Sequence, residues 1–186
     1  SPVDADFPAV GPGHMAAVAG GAFQQGLTPL SMMAAPSFND AFVREGFALA
    51  PLFNSGSMYL MAFVAPYEAE TAGHATMRAT FTAMGIDSAN TFLVAGWASQ
   101  HHLKGVLEAA NKGGDLSRAG IRRAAGSVYV DSDGMMPQRE LGQNRADAES
   151  FIAVPDGTIG SGVKLLAGNY VGPSAGGYDW ESGPCS

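Results

Sequence analysis

Basic residues are scarce. Ten lysines and arginines stand against seventeen acidic residues, a net charge of −7 at pH 7, and the only adjacent basic pair is Arg122 and Arg123. Neutralising a phosphate backbone needs a basic surface, so no nucleic-acid partner is expected. Cysteine is nearly absent too: Cys185 is the one thiol, near the end of a tail rich in Gly, Ser and Pro, and no internal disulfide can form. It reads as a free thiol, and such sparing use of cysteine fits an exported bacterial chain and a cytosolic one alike. The longest strongly apolar run, residues 58–66, is far shorter than the ~20 residues of a membrane-spanning helix. The opening Ser1-Pro2-Val3-Asp4 carries no basic segment followed by an apolar one, so any export signal must lie upstream of it.

Chemical signatures are equally thin. There is no G-x-S-x-G nucleophile elbow, no H-E-x-x-H pair and no phosphate-binding loop ending in Lys-Ser/Thr. No catalytic constellation is found, which favours a binding protein over an enzyme, with no cofactor and no metal. His101 and His102 are neighbours and point about 100° apart on a helix, so they cannot share a metal as an i, i+4 pair does. His14 and His74 have no ligating partner at the right spacing and read as surface or capping residues. Asp131-Ser132-Asp133-Gly134 resembles the start of a calcium loop, but the closing position falls on Gly142 where a glutamate is needed. Gly11-Pro12-Gly13-His14-Met15-Ala16 matches the dinucleotide fingerprint G-x-G-x-x-G/A. The second strand then ends in Met33-Ala34-Ala35-Pro36 without the acidic residue that holds a ribose, and Pro12 removes a backbone donor. A nicotinamide-dependent enzyme is the weaker reading, and a tight turn opening a helix the stronger.

What the chain does contain is apolar residues, 46% of 186, and few charges, 15%, the balance of a folded protein with one large domain or parts of two. Residues 6–10 read as a short buried strand. A helix follows with Met15, Val18, Ala19 and Ala22 at helical spacing, stopped by Gly26. Residues 30–34 read as a strand, and Ser37 with Asp40 three residues on reads as the N-cap of a short helix ending near Gly46. Residues 58–64 form the next strand. Thr71 then caps a helix with Met77, Phe81 and Met84 on one face, closed by Gly85. The longest helix is expected over 89–111 with a stripe of Leu103, Val106, Leu107 and Ala110, and another opens at Ser117, buries Ile121, Ala124 and Ala125, and stops at Gly126. Residues 127–144 are polar and turn-rich. Residues 151–154 and 163–166, flanking Asp156-Gly157, read as a terminal hairpin. Alternating strands and helices predict an α/β fold with a mainly parallel sheet and helices on both faces, whose ligands bind at the carboxyl ends of strands.

The order of these elements, with Gln25-Gly26-Leu27-Thr28-Pro29, Ala65-Pro66-Tyr67 and Gly114-Asp115-Leu116-Ser117-Arg118, resembles the C-terminal half of the type I periplasmic binding proteins. These are the Leu/Ile/Val receptor family of ABC transporters. The resemblance implies a two-lobed α/β fold of which this chain supplies the C-terminal halves of both lobes. It places residues 1–62 in the second lobe, 63–150 in the first, and 151–186 back in the second and in the tail. It further implies an extracytoplasmic protein, periplasmic or extracellular and lipid-anchored if an upstream segment provides the anchor. Its partners would be a small-molecule solute, an ABC permease in the membrane and the missing N-terminal half of the same protein. Carried over residue by residue, the cleft comprises Gly11, Pro12, Gly13 and His14, then Ala35, Pro36, Ser37 and Phe38, and Trp97 on the long helix. Read without the family, Trp97 is equally well a core residue. The family's amino-acid receptors place an acidic residue near Ala35 to meet the ligand ammonium, and this sequence has none between Thr28 and Asn39. An uncharged, aromatic or carboxylate-bearing solute therefore suits the cleft better than an amino acid. A sensory domain of the same fold is the alternative reading.

Overall fold

The computed structural model describes residues 4–137, 139–140 and 149–173, so Trp180 and Cys185 lie outside the described residues. The chain runs through β1 (Ala5–Asp6), α1 (Pro12–Gln24), β2 (Leu30–Ala34), α2 (Ala50–Phe53), β3 (Met58–Ala62), α3 (Ala72–Ala83), α4 (Thr91–Lys112) and α5 (Arg118–Ala125). It then forms β4 (Tyr129–Val130), β5 (Arg139–Glu140), β6 (Glu149–Pro155) and β7 (Val163–Val171). Five strands make one sheet in the order β1-β2-β3-β6-β7, and β4 pairs with β5 apart from it. The first three strands are parallel, and β6 and β7 are antiparallel to their neighbours. The sheet is therefore mixed rather than mainly parallel. The expected terminal hairpin closes it along β3.

Local chemistry explains most boundaries. Pro12 opens α1 where its missing N–H has no helical partner in any case, and Gly26 follows the helix with φ +72°. Thr71 caps α3 by accepting from the His74 N–H, Asn90 caps α4 by accepting from Leu93, and Ser117 caps α5 by accepting from Gly120. Gly85, with φ +75°, follows α3.

Several expectations fail for physical reasons. The first strand is only Ala5–Asp6, so Phe7, read as part of a buried strand, lies past its end and is 75% exposed. Ser37 caps no helix; Asn39 caps the 3-10 turn Asp40–Val43 instead. Val18 and Met84 are exposed, Met84 because α3 has already ended. On α4 the buried stripe is Val94, Ala98, Val106 and Ala110, whereas Leu103 and Leu107 face outward. The Asp156-Gly157 turn is a longer connection, 156–162, between β6 and β7.

Helices on both faces of the sheet do not occur among the described residues. α1 sends Met15 and Ala19 into a core with Met33, Phe53, Leu60 and Val163, all against one sheet face. A second core, built from Val64, Tyr67, Met77, Phe81, Val94 and Met135, lies among α3, α4 and the 132–136 loop. Between them a small cluster joins Ala35, Ala62, Ala65, Ala69 and Phe151, so the segment leaving β3 packs where the cores meet.

Candidate functional site

In parallel α/β sheets, loops at the carboxyl ends of strands are the usual ligand-binding positions. Here those loops follow β1, β2 and β3. Ser37 ties the first two together: its buried Oγ accepts from the Val10 N–H at 3.1 Å and donates to the Pro8 carbonyl at 3.3 Å. The Ala34 N–H reaches the same Pro8 carbonyl at 3.3 Å. The structure thus brings two of the expected cleft segments, 11–14 and 35–38, side by side.

The side chains within them differ in what they can offer. Gly11, Gly13, His14 and Pro36 are exposed and Pro12 is half-buried. Ala35 is packed into the small junction cluster, and Ser37 is occupied by the loop it holds. Phe38 is 2% exposed and meets the Phe42 ring edge-on at 6.1 Å. Trp97 lies elsewhere, edge-on to Phe81 at 5.5 Å beside the second core, and it also lines an open groove of about 430 Å³ along α4 with His101, Leu103, Lys104 and Leu107. No residue of the 11–14 or 35–38 segments lines that groove.

Two aromatic residues at the strand ends escaped the sequence reading. Phe7 follows the last residue of β1 and Phe63 the last residue of β3, and they are 75% and 45% exposed. The signal that points to them is a position one residue past a strand, which the apolar residues on either side make look like strand interior.

The segment after β3 is held on several sides. His74, fully buried in the first turn of α3, spans Ala65 and Thr71. Because the Ala65 carbonyl can only accept, Nε2–H donates to it at 3.2 Å, and Nδ1 accepts from the Thr71 hydroxyl at 2.8 Å. In that tautomer the imidazole is neutral, the form that its burial favours. Arg78 donates to the carbonyls of Tyr67 and Ala69 at 2.8 and 2.9 Å. Glu68 accepts from the Ser161 N–H at 2.9 Å and from its hydroxyl, which links this segment to the 156–162 connection. Arg44 donates to the carbonyls of Gly157, Ile159 and Gly160 in the same connection. Asp40 and Gly160 on one side, and Ser88, Asn90, Phe92 and Leu93 on the other, bound an opening of about 550 Å³ beside this junction.

Burial holds the His74 pKa below its ordinary value of 6.5; the hydrogen bond to Ala65 opposes that shift, the Arg78 charge adds to it, and Glu70 and Glu68 weakly oppose it. An unfolded imidazole takes up a proton near pH 6.5, whereas the folded one resists it, so protons favour the unfolded chain. The stability due to neutral His74 is whole above that value and declines as pH falls through 6.5 toward the lowered folded value. Thermal unfolding midpoints between about pH 5 and 8 should fall more steeply on the acid side for the natural chain than for His74→Gln. Parallel curves would show that His74 does not cause the acid sensitivity.

No protein-family model matches the sequence, and no curated protein matches it. Solved structures do. A fatty acid ABC transporter substrate-binding protein from Thermomonospora curvata superposes with a TM-score of 0.80 at 20% identity, over 95% of this chain and 45% of that one. An ABC transporter substrate-binding protein from Aeropyrum pernix gives 0.67 at 13% identity, over 92% of this chain and 46% of that one. The fold is that of an ABC-transporter substrate-binding protein. The chain spans less than half the length of the solved structures it matches. The α/β fold of this chain is thus that of the matching part of these two proteins. Among the described residues no helix is long and apolar enough to cross a membrane.

Proposed function

We propose that this chain is part of an extracytoplasmic receptor that captures a small solute non-covalently and presents it to an ABC permease, without catalysis. The observation that supports it most strongly is the superposition on two substrate-binding proteins along almost the whole chain. Two separate cores support a division in which residues 1–62 and 151–186 serve one lobe and 63–150 the other. The solute would meet the strand-end loops through Gly11, Pro12, Gly13, His14 and Pro36, with Ala35, Ser37 and Phe38 shaping the wall from beneath. Phe7 and Phe63 add exposed aromatic surface to the same strand ends. Trp97 would contribute from the first lobe.

The solute class follows from what the loops lack. An ammonium group desolvated in a cleft needs a counter-charge, and residues 29–38 provide no carboxylate. An uncharged, aromatic or carboxylate-bearing solute is favoured. The Thermomonospora curvata neighbour is described as a fatty-acid transporter protein, and an apolar acid of that kind belongs in the first screen. A thermal-shift screen of the full-length protein against amino acids, aromatic acids, fatty acids, amides and sugars tests the reading. An apolar acid or aromatic solute should raise the midpoint, leucine, isoleucine and valine should not, and Trp97→Ala should weaken the positive hit about tenfold or more. Tight leucine binding would overturn the solute class, and unchanged affinity in Trp97→Ala would remove that residue from the site.

A further inference from the structure

Charge is spread very unevenly along this acidic chain. Residues 104–123 hold five of its ten basic residues, Lys104, Lys112, Arg118, Arg122 and Arg123, but only two of its seventeen acidic ones, Glu108 and Asp115. That stretch carries a net charge of +3. Elsewhere five basic residues stand against fifteen acidic ones, a net charge of −10.

α5 mounts most of the positive charge on one rigid surface. The helix packs on α4 with Ile121, Ala124 and Ala125 half-buried. Gly120 is buried so tightly that an added Cβ would lie 2.1 Å from the Asp115 carbonyl oxygen. Arg123 pairs with Asp115, and Lys104 with Glu108. Lys112, Arg118 and Arg122 are exposed and make no ion pair with any of the described residues. Arg118 and Arg122, four residues apart, share one side of the helix. Leu116, 56% exposed, stands just before the Ser117 cap.

This arrangement works against the helix. Arg118 is its first residue, where the helix dipole repels a cation, and the first turn has no acidic residue to offset it. Like charges four residues apart repel each other as well. Local rules broken without compensation within a fold are expected where the surface serves a partner. The charge calls for an anionic partner, and a convex helix with long side chains and an exposed leucine suits a flat, fluid surface better than a shaped pocket. α4 rises about 33 Å over its 22 residues, from the opening beside Asp40 and Gly160 to Lys112 and α5 at its far end. Contact at that end leaves the opening clear.

We propose that the basic face of α5, together with Lys112 and Leu116, docks on the anionic headgroups of a lipid bilayer. The inference rests on the receptor reading, which sets the chain beside a membrane. An anionic bilayer attracts each nearby basic side chain by about fivefold in affinity and repels the rest of this chain, so only this end approaches the surface.

Vesicle sedimentation of the full-length polypeptide, expressed without any attached lipid, tests this. The protein should pellet with phosphatidylcholine vesicles that contain phosphatidylglycerol and stay in solution with phosphatidylcholine alone. Arg122→Gln should weaken partitioning about fivefold, and Arg118→Gln with Arg122→Gln about thirtyfold. Lys164→Gln, which removes an exposed charge elsewhere, should leave it unchanged. Replacing both arginines by lysine should preserve binding, because headgroups read the charge and not the planar guanidinium fork. Salt at about 1 M, where the Debye length is about 3 Å, should release the protein. Equal partitioning to the two kinds of vesicle, or binding that survives the loss of both arginines, would overturn the proposal. So would vesicles that are ignored while the double glutamine variant loses capture by the permease, since the occupant would then be an acidic protein surface. A successful solute screen without vesicle binding would sink the docking alone. Vesicle binding that depends on both arginines, alongside a failed solute screen, would support the docking and count against the receptor reading.

Discussion

Phe53→Ala is expected to remove about 3–5 kcal/mol of stability, the range for truncating a fully buried phenylalanine. Phe53 has no exposed surface and lies at the centre of an aromatic cluster, 4.7 Å from the Phe42 ring and 6.3 Å from Phe47. Phe38 reaches the same cluster through Phe42. Collapse around the hole is restricted because α2 is a single turn, fixed by Pro51 at its start and by Asn54, which donates to the Val43 and Ala50 carbonyls. A loss this large approaches the whole stability of many domains. Urea titration followed by circular dichroism measures it, and a loss below about 1 kcal/mol would show that the cluster is loosely packed. Because Phe38 sits beside the strand-end loop, the same variant should also weaken solute binding in the full-length protein.

Gly73→Ala is the second large effect, and its sign makes it diagnostic. In an ordinary helix, replacing glycine by alanine adds up to about 1 kcal/mol of stability. At Gly73 the added methyl would come within 2.5 Å of Met135 Cγ and 2.8 Å of the Ser132 carbonyl oxygen. Met135 is fully buried, and the loop cannot retreat easily because the Gly73 N–H donates to the Asp133 carbonyl at 3.0 Å. Ser132 is fastened as well, exchanging hydrogen bonds with the main chain of Met136. Overpacking of this kind costs about 1–3 kcal/mol, which outweighs the propensity gain. Chemical denaturation should therefore show a net loss, and a stabilised variant would mean that α3 and the 132–136 loop are not in close contact.

The sequence was most legible where one residue decides the local backbone. Thr71 and Ser117 cap the helices assigned to them, Gly26 and Gly85 end theirs, and β2 spans the residues its pattern indicates. It was least legible where partners distant in the chain choose between equivalent faces. On α4 the larger leucines Leu103 and Leu107 outrank Val94 and Ala98 in hydrophobicity, yet the small residues face inward because α4 packs closely there. His74 and His14 look alike in sequence, and only the fold buries one between Thr71 and Ala65 while exposing the other. In the candidate site the loops were locatable from the strand pattern. The orientation of their side chains was not: Ser37 turned out to bind the first loop through Val10 and Pro8, and Phe38 to belong to an aromatic cluster assembled by residues up to Phe53.

The pairing of Leu60 with Ala153 also has a bearing on how the chain is made. The parallel strands and α1 are complete within the first third of the sequence, but the strand that seals β3 is reached only after the helical segment has been synthesised. Closing so long a loop is slow, because its entropy is spent before the ladder repays it. During that interval β3 is a bare edge beside Met58 and Leu60, a ready template for another nascent chain. A ribosome that stalls between residues 63 and 150 would release its most aggregation-prone product, whereas α3 to α5, whose contacts are nearer in sequence, can settle while the hairpin is still awaited.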